Sequence, residues 1–460
     1  GGIFTQFQHL PIAGERGAMA ASRLRAWNDI IARLSRAPAY IGAGQRLVTM
    51  PGHLYNEIGA EQLAGTPGFF NGALTSAAKA QLSAADFARF ARARDRALVT
   101  IAQTQAYIAA HVASWPENYA IGRRAYDAML RDEQLLPYDA ADVEVMGEAE
   151  LEHGWAEEAW LRERSHETGI LFGAASGGGL APGGAALIPY YRARIAQLRA
   201  FVIAHHIVSI PSWLGTIHVV ETPSFLQPVS PGASMNPPRL FSNETDGYYF
   251  ITPPTSLADA ARRLDMNEDF DRDRILSTGA HEAMPGHFLQ LSIAKRNPDF
   301  IRRIQYSGTF AEGWAFYGEE MFVRLGLYGN DLDGALYVAR WERVRGARAV
   351  ADVKLATGEW SYAHAVQYFS DETGFTHDQS TAEVAAIALG PGGLMVYTVG
   401  RAQLEDLEGQ YMRRMGDRGS LEDFHDRLMC YGTTPFAIVA PELLADLSKP
   451  LAQVRAAANY

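Results

Sequence analysis

Ten residues, HEAMPGHFLQ at 281–290, constrain this chain more tightly than any other stretch. They hold two histidines, His281 and His287, with a glutamate, Glu282, directly after the first. In the common zinc-hydrolase signature HExxH, the imidazoles sit four residues apart on one helix face and the glutamate activates water. Here the spacing is six. At 100° per residue, six steps leave two side chains about 120° apart, too far to share one tetrahedral ion. A shared ion therefore requires the helix to be rewound between them. Pro285 has no N–H to donate and its ring clashes with the preceding turn, while Gly286 tolerates angles other residues avoid. A helix that stops at Pro285 beside two unrelated histidines accounts for the decapeptide equally well.

The stretch FAEGWAFYGEEM at 310–321 shifts that balance. It begins after FLQLSIAK, RNPD and FIRRIQYSGT, enough chain to finish one helix, turn at Asn297-Pro298-Asp299 and return. Glu312 is thereby expected beside the histidines as a third ligand. EGWAFY also resembles the third-ligand helix of the aminopeptidase N family.

Four further matches point one way: EGWAFYGE at 312–319, PGGLMVYTVG at 391–400, FHDRLMCYGTTP at 424–435 and an ETPSFL segment at 221–226. With HEAMPGHFLQ they resemble the bacterial family known as domain of unknown function 885, over about residues 215–440. HEAMPGHFLQ and EGWAFYGE are specific; PGGLMVYTVG and FHDRLMCYGTTP carry little alone. The resemblance implies a gluzincin-type metallohydrolase with a zincin-like architecture, mainly α with a small β-sheet beside the cleft. Where the family tends to have an Arg-Tyr pair and a Gln around the third motif, this chain has Ala386, Ile387 and Gly393. Divergent specificity is expected if those positions touch substrate.

The rest of the chain reads as scaffold, with an N-terminal helical lobe over 1–210 and a catalytic lobe over 211–460. Residues 17–37 show helical spacing and are expected to end before Pro38. A longer helix runs from Ser83 towards Ser114, with Phe90, Ala93, Ala97, Ile101 and Ile108 as its apolar stripe. Residues 143–168 carry Leu151, Trp155 and Ala159 at four-residue spacing. His153 and Glu157 lie four apart there and read as a surface pair. The glycine-rich 175–185 lacks the order of a nucleotide cradle. TDGYYFI at 245–251 is the candidate edge strand along which an extended substrate would pair. A small stabilising hairpin is its other reading. From about 268 the chain is mostly helical, broken by PGG at 391–393.

Composition excludes several classes. A net charge of −11, with no basic cluster, argues against nucleic acid as a partner. One cysteine, Cys430, permits no intramolecular disulfide framework. No apolar run reaches the roughly 18 residues of a membrane span. The sequence opens on Gly-Gly rather than methionine, which leaves room for a preceding signal peptide. Exported and cytoplasmic locations both stay open, as does the oligomeric state.

The chemistry expected of these residues is hydrolytic. One Zn2+ per chain, held by His281, His287 and Glu312, keeps a fourth position for water. Glu282 points elsewhere and suits a general base. Oxyanion stabilisation falls to Tyr397, which the family motif retains, or to His425. Tyr397 reads equally as a core aromatic, and His425 as a bridge between helices. Tyr317 is turned away from the ligand face. Glu319, seven residues after Glu312, is placed to orient a ligand or bind a substrate amine, and reads almost equally as an ordinary exposed glutamate beside Glu320; Arg401 is placed to grip a substrate carboxylate. The leading reading is a zinc metallopeptidase cleaving short peptides. The alternatives are a zinc amidohydrolase of a non-peptide amide or modified amino acid, and a vestigial zincin-like binding protein.

Overall fold

A computed structural model describes residues 19–49, 51–172, 184–222, 233–252 and 272–460. Among them the chain is mainly helical, with one three-stranded sheet. It divides into two compact units, Gly1–Tyr119 with Thr222–Pro231, and Ala120–Glu221 with Gly232–Tyr460. The boundary expected near residue 210 thus lies much earlier, and the helices after Tyr119 belong with the site-bearing unit. The segments 175–185 and 221–226 fall largely outside the described residues.

The first unit contains α1 (Met19–Leu47), α2 (His53–Phe69), α3 (Thr75–Gln81) and α4 (Ala84–His111). Ser83 caps α4 by accepting the N–H of Asp86, satisfying one of the donors a helix start leaves unpaired. The predicted stripe Phe90, Ala93, Ala97, Ile101 and Ile108 is the buried face of α4. Most of it packs with Trp27, Ile30 and Leu34 of α1, each fully buried large side chain contributing roughly 1.5–3 kcal/mol. α1 does not stop at Pro38 but runs through it to Leu47. Ala37 and Ile41 continue to pack on the same core, which offsets the missing N–H bond.

The second unit begins with α5 (Arg123–Ala128), α6 (Ala140–Thr168) and α7 (Leu187–Ala204). The strands β1 (Ile217–Glu221), β2 (Ala233–Asn236) and β3 (Gly247–Ile251) follow. Next come α8 (Arg272–Glu282), α9 (His287–Arg296), α10 (Phe300–Ile304), α11 (Gly308–Arg324) and α12 (Leu332–Thr357). The unit closes with α13 (Tyr362–Thr373), α14 (His377–Leu389), α15 (Val396–Met415), α16 (Leu421–Met429), α17 (Phe436–Ala445) and α18 (Leu451–Ala458).

Two expectations need correction here. In α6 only Leu151 of the expected stripe is buried, whereas Trp155 and Ala159 are exposed. The buried face instead includes Gly147, Glu150, Gly154 and Glu158, and it meets α12, where Arg343 pairs with Glu158 at 3.1 Å. The strand at 247–251 exists but is no edge. The sheet order is β1-β3-β2, with β3 parallel to β1 and antiparallel to β2, so both of its sides are already paired. Its Tyr249 and Ile251, with Val219, pack on Tyr191 and Ile195 of α7, on Ile275 of α8 and on Ala283. The sheet therefore supports the chain beside His281 rather than offering β3 to a substrate.

Two contacts set the position of α15. Where α11 crosses it, a Cβ on Gly400 would lie 1.9 Å from the Thr309 carbonyl oxygen, so only glycine allows this approach. The PGG break before α15 is held by Asp352 of α12, which accepts the N–H groups of Gly392 at 2.7 Å and Leu394 at 3.3 Å. Burial pushes that carboxyl up to about 6. Among the described residues, no helix is long and apolar enough to cross a membrane.

A methyl group at the crossing must push the two helices apart. Gly400→Ala is expected to cost about 2–4 kcal/mol in urea unfolding. Gly409→Ala, on the same helix with nothing within 4 Å of the added carbon, should stabilise by about 0.5–1 kcal/mol. Equal effects at both positions would show that the crossing does not depend on close approach.

Candidate metal centre

The helix carrying His281 ends at Glu282 and the next begins at His287, so Ala283–Gly286 separate two helices rather than bulging one. The Met284–Pro285 bond in this break is cis. The Pro285 carbonyl accepts the indole N–H of Trp314 at 3.0 Å, and the Gly286 N–H donates to the Ala280 carbonyl at 3.0 Å. A Cβ on Gly286 would sit 1.7 Å from the His281 carbonyl oxygen, which makes glycine obligatory. The break turns the two imidazoles onto one space, with ring centroids 4.8 Å apart and planes at 89°.

Glu312 of α11 enters that space. Its Oε2 lies 3.2 Å from His281 Nε2 and 3.3 Å from His287 Nε2. Ligand atoms on one tetrahedral ion, each about 2.0–2.2 Å from it, stand roughly 3.3 Å apart. The donor set therefore fits a small divalent cation. The side chains of both histidines are 12% exposed and that of Glu312 18%, so the space is sheltered but reachable.

Glu319, one face with Glu312 and two turns on, takes His281 Nδ1 at 2.7 Å. Ser277 Oγ donates to Glu319 at 2.8 Å and Arg345 donates twice, at 2.6 and 3.2 Å. The carboxylate thus fixes both the ring orientation and which nitrogen faces Glu312. Burial would raise the Glu319 carboxyl, yet Arg345 and His281 hold it down at about 2. Burial likewise disfavours charge on His281, but its hydrogen bonds to Glu312 and Glu319 win and raise it to about 9. Glu312 is held well below the usual carboxylate range by the two histidines despite its burial.

Three more groups border the space. The charge of Glu282 acts on His281, Tyr306 and Tyr397. The Tyr397 ring lies 6.1 Å from that of His281, with Arg345 and Arg348 against its face at 5.4 and 5.5 Å. Its hydroxyl has no hydrogen-bond partner among the described residues, and burial, then the charge of Glu312, raises it to about 12. Tyr306 donates its hydroxyl to Glu312 Oε1 at 3.2 Å. Sequence reasoning missed Tyr306, which sits in a loop with no motif to flag it. It also missed Arg345 and Arg348, two of four arginines in α12, which nothing in the sequence set apart from Arg340 and Arg343.

Other candidates are placed elsewhere. His425 lies in the core, its Nδ1 against the Ile207 carbonyl at 2.7 Å and its Nε2 against the Tyr317 hydroxyl at 3.0 Å. Both ring nitrogens are engaged, so it bridges elements instead of serving as an oxyanion donor. Tyr317 is turned from the ligands, as its offset implies, its hydroxyl lying between His425 and Glu408 at 3.0 and 2.9 Å. Arg401 is not free for a substrate carboxylate, since Glu150 and Glu320 take its guanidinium at 2.7 and 2.5 Å. His153 pairs with Glu320 at 3.2 Å instead of with Glu157. Of the divergent positions, Ile387 is buried in the interior while Ala386 and Gly393 are exposed.

Residues 7–443 match the family described as "Bacterial protein of unknown function (DUF885)". The chain belongs to the DUF885 family. A search of curated protein sequences finds no match. Two solved structures share the DUF885 chain's fold. One is a "putative lipoprotein" from Colwellia psychrerythraea, with TM-score 0.78 and 20% identity over 97% of this chain and 79% of that one. The other, described in the same words and as of unknown function, is from Shewanella oneidensis, with TM-score 0.72 and 21% identity over 94% and 80%. At such identities the likeness speaks for fold alone.

Two outcomes follow for this DUF885 chain. Glu319→Gln should weaken divalent-cation affinity by about 10–100-fold in chelator competition, with the fold retained. Burial lowers His425 to about 4, against an ordinary value near 6.5. The unfolded chain therefore gains a proton first, and this contribution is complete above about pH 6.5 and lost as pH falls towards 4, about 3 kcal/mol in all. Urea unfolding across that range should show a shallower pH slope for His425→Asn than for the unaltered chain.

Proposed function

We propose that this protein is a zinc-dependent hydrolase of amide bonds, a metallopeptidase acting on short peptides, with a zincin-like arrangement of its site. One observation carries the reading: two imidazole nitrogens lie 3.2 and 3.3 Å from one carboxylate oxygen, with Glu282 bordering the same space. A purely structural cation would have no use for that additional carboxylate. A bound Zn2+ would supply Lewis acidity towards a carbonyl oxygen and lower the pKa of water.

The chain's own residues account for the remaining work. Glu282 takes a proton from the attacking water and returns it to the leaving nitrogen, so the C–N bond is replaced by a carboxylic acid and an amine. The Tyr397 hydroxyl donates a hydrogen bond to the carbonyl oxygen as negative charge grows there. Arg345 and Arg348, stacked on its ring, hold Tyr397 in place. Tyr306 keeps one Glu312 oxygen engaged, leaving the other towards the histidines. Glu319 holds His281 in register.

A second reading, hydrolysis of a small non-peptide amide, draws on β3. The strand expected to pair with an extended peptide is already paired on both sides. Export from the cytoplasm is part of the proposal, because both structural relatives carry the description "putative lipoprotein".

Turnover of short peptides should vanish with chelator and return with Zn2+. Glu282→Gln should lower kcat by about 10²–10⁴-fold while cation content stays unchanged. Profiling peptides beside small amides separates the two substrate classes. If Zn2+-loaded protein leaves both sets uncut, the hydrolase reading fails.

A further inference from the structure

Away from the first centre, α6, α11 and α12 bring His153, Glu320 and Glu342 together. One nitrogen and two carboxylate oxygens from these residues all lie within 4.8 Å of one another. His153 Nε2 stands 3.2 Å from Glu320 Oε1 and 4.0 Å from Glu342 Oε2. The first spacing matches the 3.2 and 3.3 Å of the first centre, and the second is wider, so Glu342 closes on an ion by a small side-chain shift.

Not every buried carboxylate oxygen at this place is hydrogen-bonded. Glu150 joins Glu320 and Glu342 as a third buried carboxylate, and Arg401 is the buried guanidinium facing them. Arg401 gives one nitrogen to Glu150 at 2.7 Å and the other to Glu320 Oε2 at 2.5 Å. It reaches no closer than 3.7 Å to Glu342. Glu342 is 1% exposed, and its Oε2, the atom turned towards His153, has no hydrogen-bond partner among the described residues. A buried carboxylate oxygen without a donor is costly, and a cation is one way to satisfy it. Arg324 also pairs with Glu320 Oε1, and with Glu405 at 3.9 Å, but from a side chain that is 60% exposed. His153 is 31% exposed, which leaves a route for an ion and its waters.

We propose that His153, Glu320 and Glu342 form a second divalent-cation site, of one imidazole and two carboxylates, suited to Zn2+ or Mn2+. The ligands come from three helices, so the ion acts as a staple across α6, α11 and α12. Arg401 stays on Glu320 Oε2 and Glu150, neutralising charge that the ion does not. Arg324 is the competitor the ion displaces. This site stands independently of the reading of the first centre as hydrolytic.

The test counts ions in the full-length protein, stripped with chelator and dialysed against Zn2+ alone or Mn2+ alone. The unaltered chain should hold two ions in at least one of the metals, and Glu342→Gln one. His153→Gln, at a partly exposed position that tolerates change, should also hold one and guards against misfolding of the buried variant. His287→Ala, which disables the first centre, should retain one, and His287→Ala with Glu342→Gln none. Arg324→Ala should bind the second ion more tightly, by up to about fivefold, the worth of an exposed ion pair. Equal ion counts in the unaltered chain and in both single variants at this site overturn the proposal, as does a His287→Ala protein that holds none. Either result leaves the question of hydrolysis at the first centre unaffected.

Discussion

A carboxylate buried to 3% exposure holds the site together. Glu319 accepts from Ser277 and from Arg345, and pairs with His281, so α8, α11 and α12 meet at one charge. Taking a carboxylate out of water is expensive unless it is paired and hydrogen-bonded, and breaking one such pair costs about 3–5 kcal/mol. The arrangement is thus all or nothing. With its partners in place, Glu319 locks an imidazole; missing one, it is an uncompensated buried charge. The sheet contributes from the other side by packing on Ile275 and Ala283, which brackets His281 between a β-layer and a charge cluster.

The helix break works alongside that charge. A six-residue spacing between imidazoles is useless on a continuous helix and becomes useful when the chain stops at Glu282 and restarts at His287. Pinning the Pro285 carbonyl to Trp314 ties the break to the very helix that supplies Glu312. Fold and site are therefore one problem here, since the residues that end one helix also determine what the next can reach.

Motif spacing was enough to bring out the convergence of His281, His287 and Glu312, and to put Glu319 on the same helix face as Glu312, although not to choose among its possible roles. Apolar periodicity did the same for α4, whose stripe matched residue for residue. It failed on α6, where the packing face is made of glycines and carboxylates rather than large apolar groups. It also failed at Pro38, where continued packing outweighed a local rule. Arg401 looked available to a substrate because a sequence does not reveal that Glu150 and Glu320 converge on it from two other helices. β3 was recognisable as a strand, but its neighbours, and hence its central position, depend on pairings with β1 and β2 that no local pattern encodes. Tyr306 was invisible for a plainer reason: loop residues acquire their neighbours only once the loop is placed.

Consecutive glutamates on α11 face different company, Glu319 towards His281 and Glu320 towards His153 and Arg401. Each residue of a helix is rotated 100° from the last, so these assignments are set by counting from Glu312. Inserting or deleting a single residue between 312 and 319 would swing both carboxylates out of their settings at once. This stretch of backbone is consequently locked in length: the two sets of contacts tolerate exchange of side chains there but no slippage of the frame.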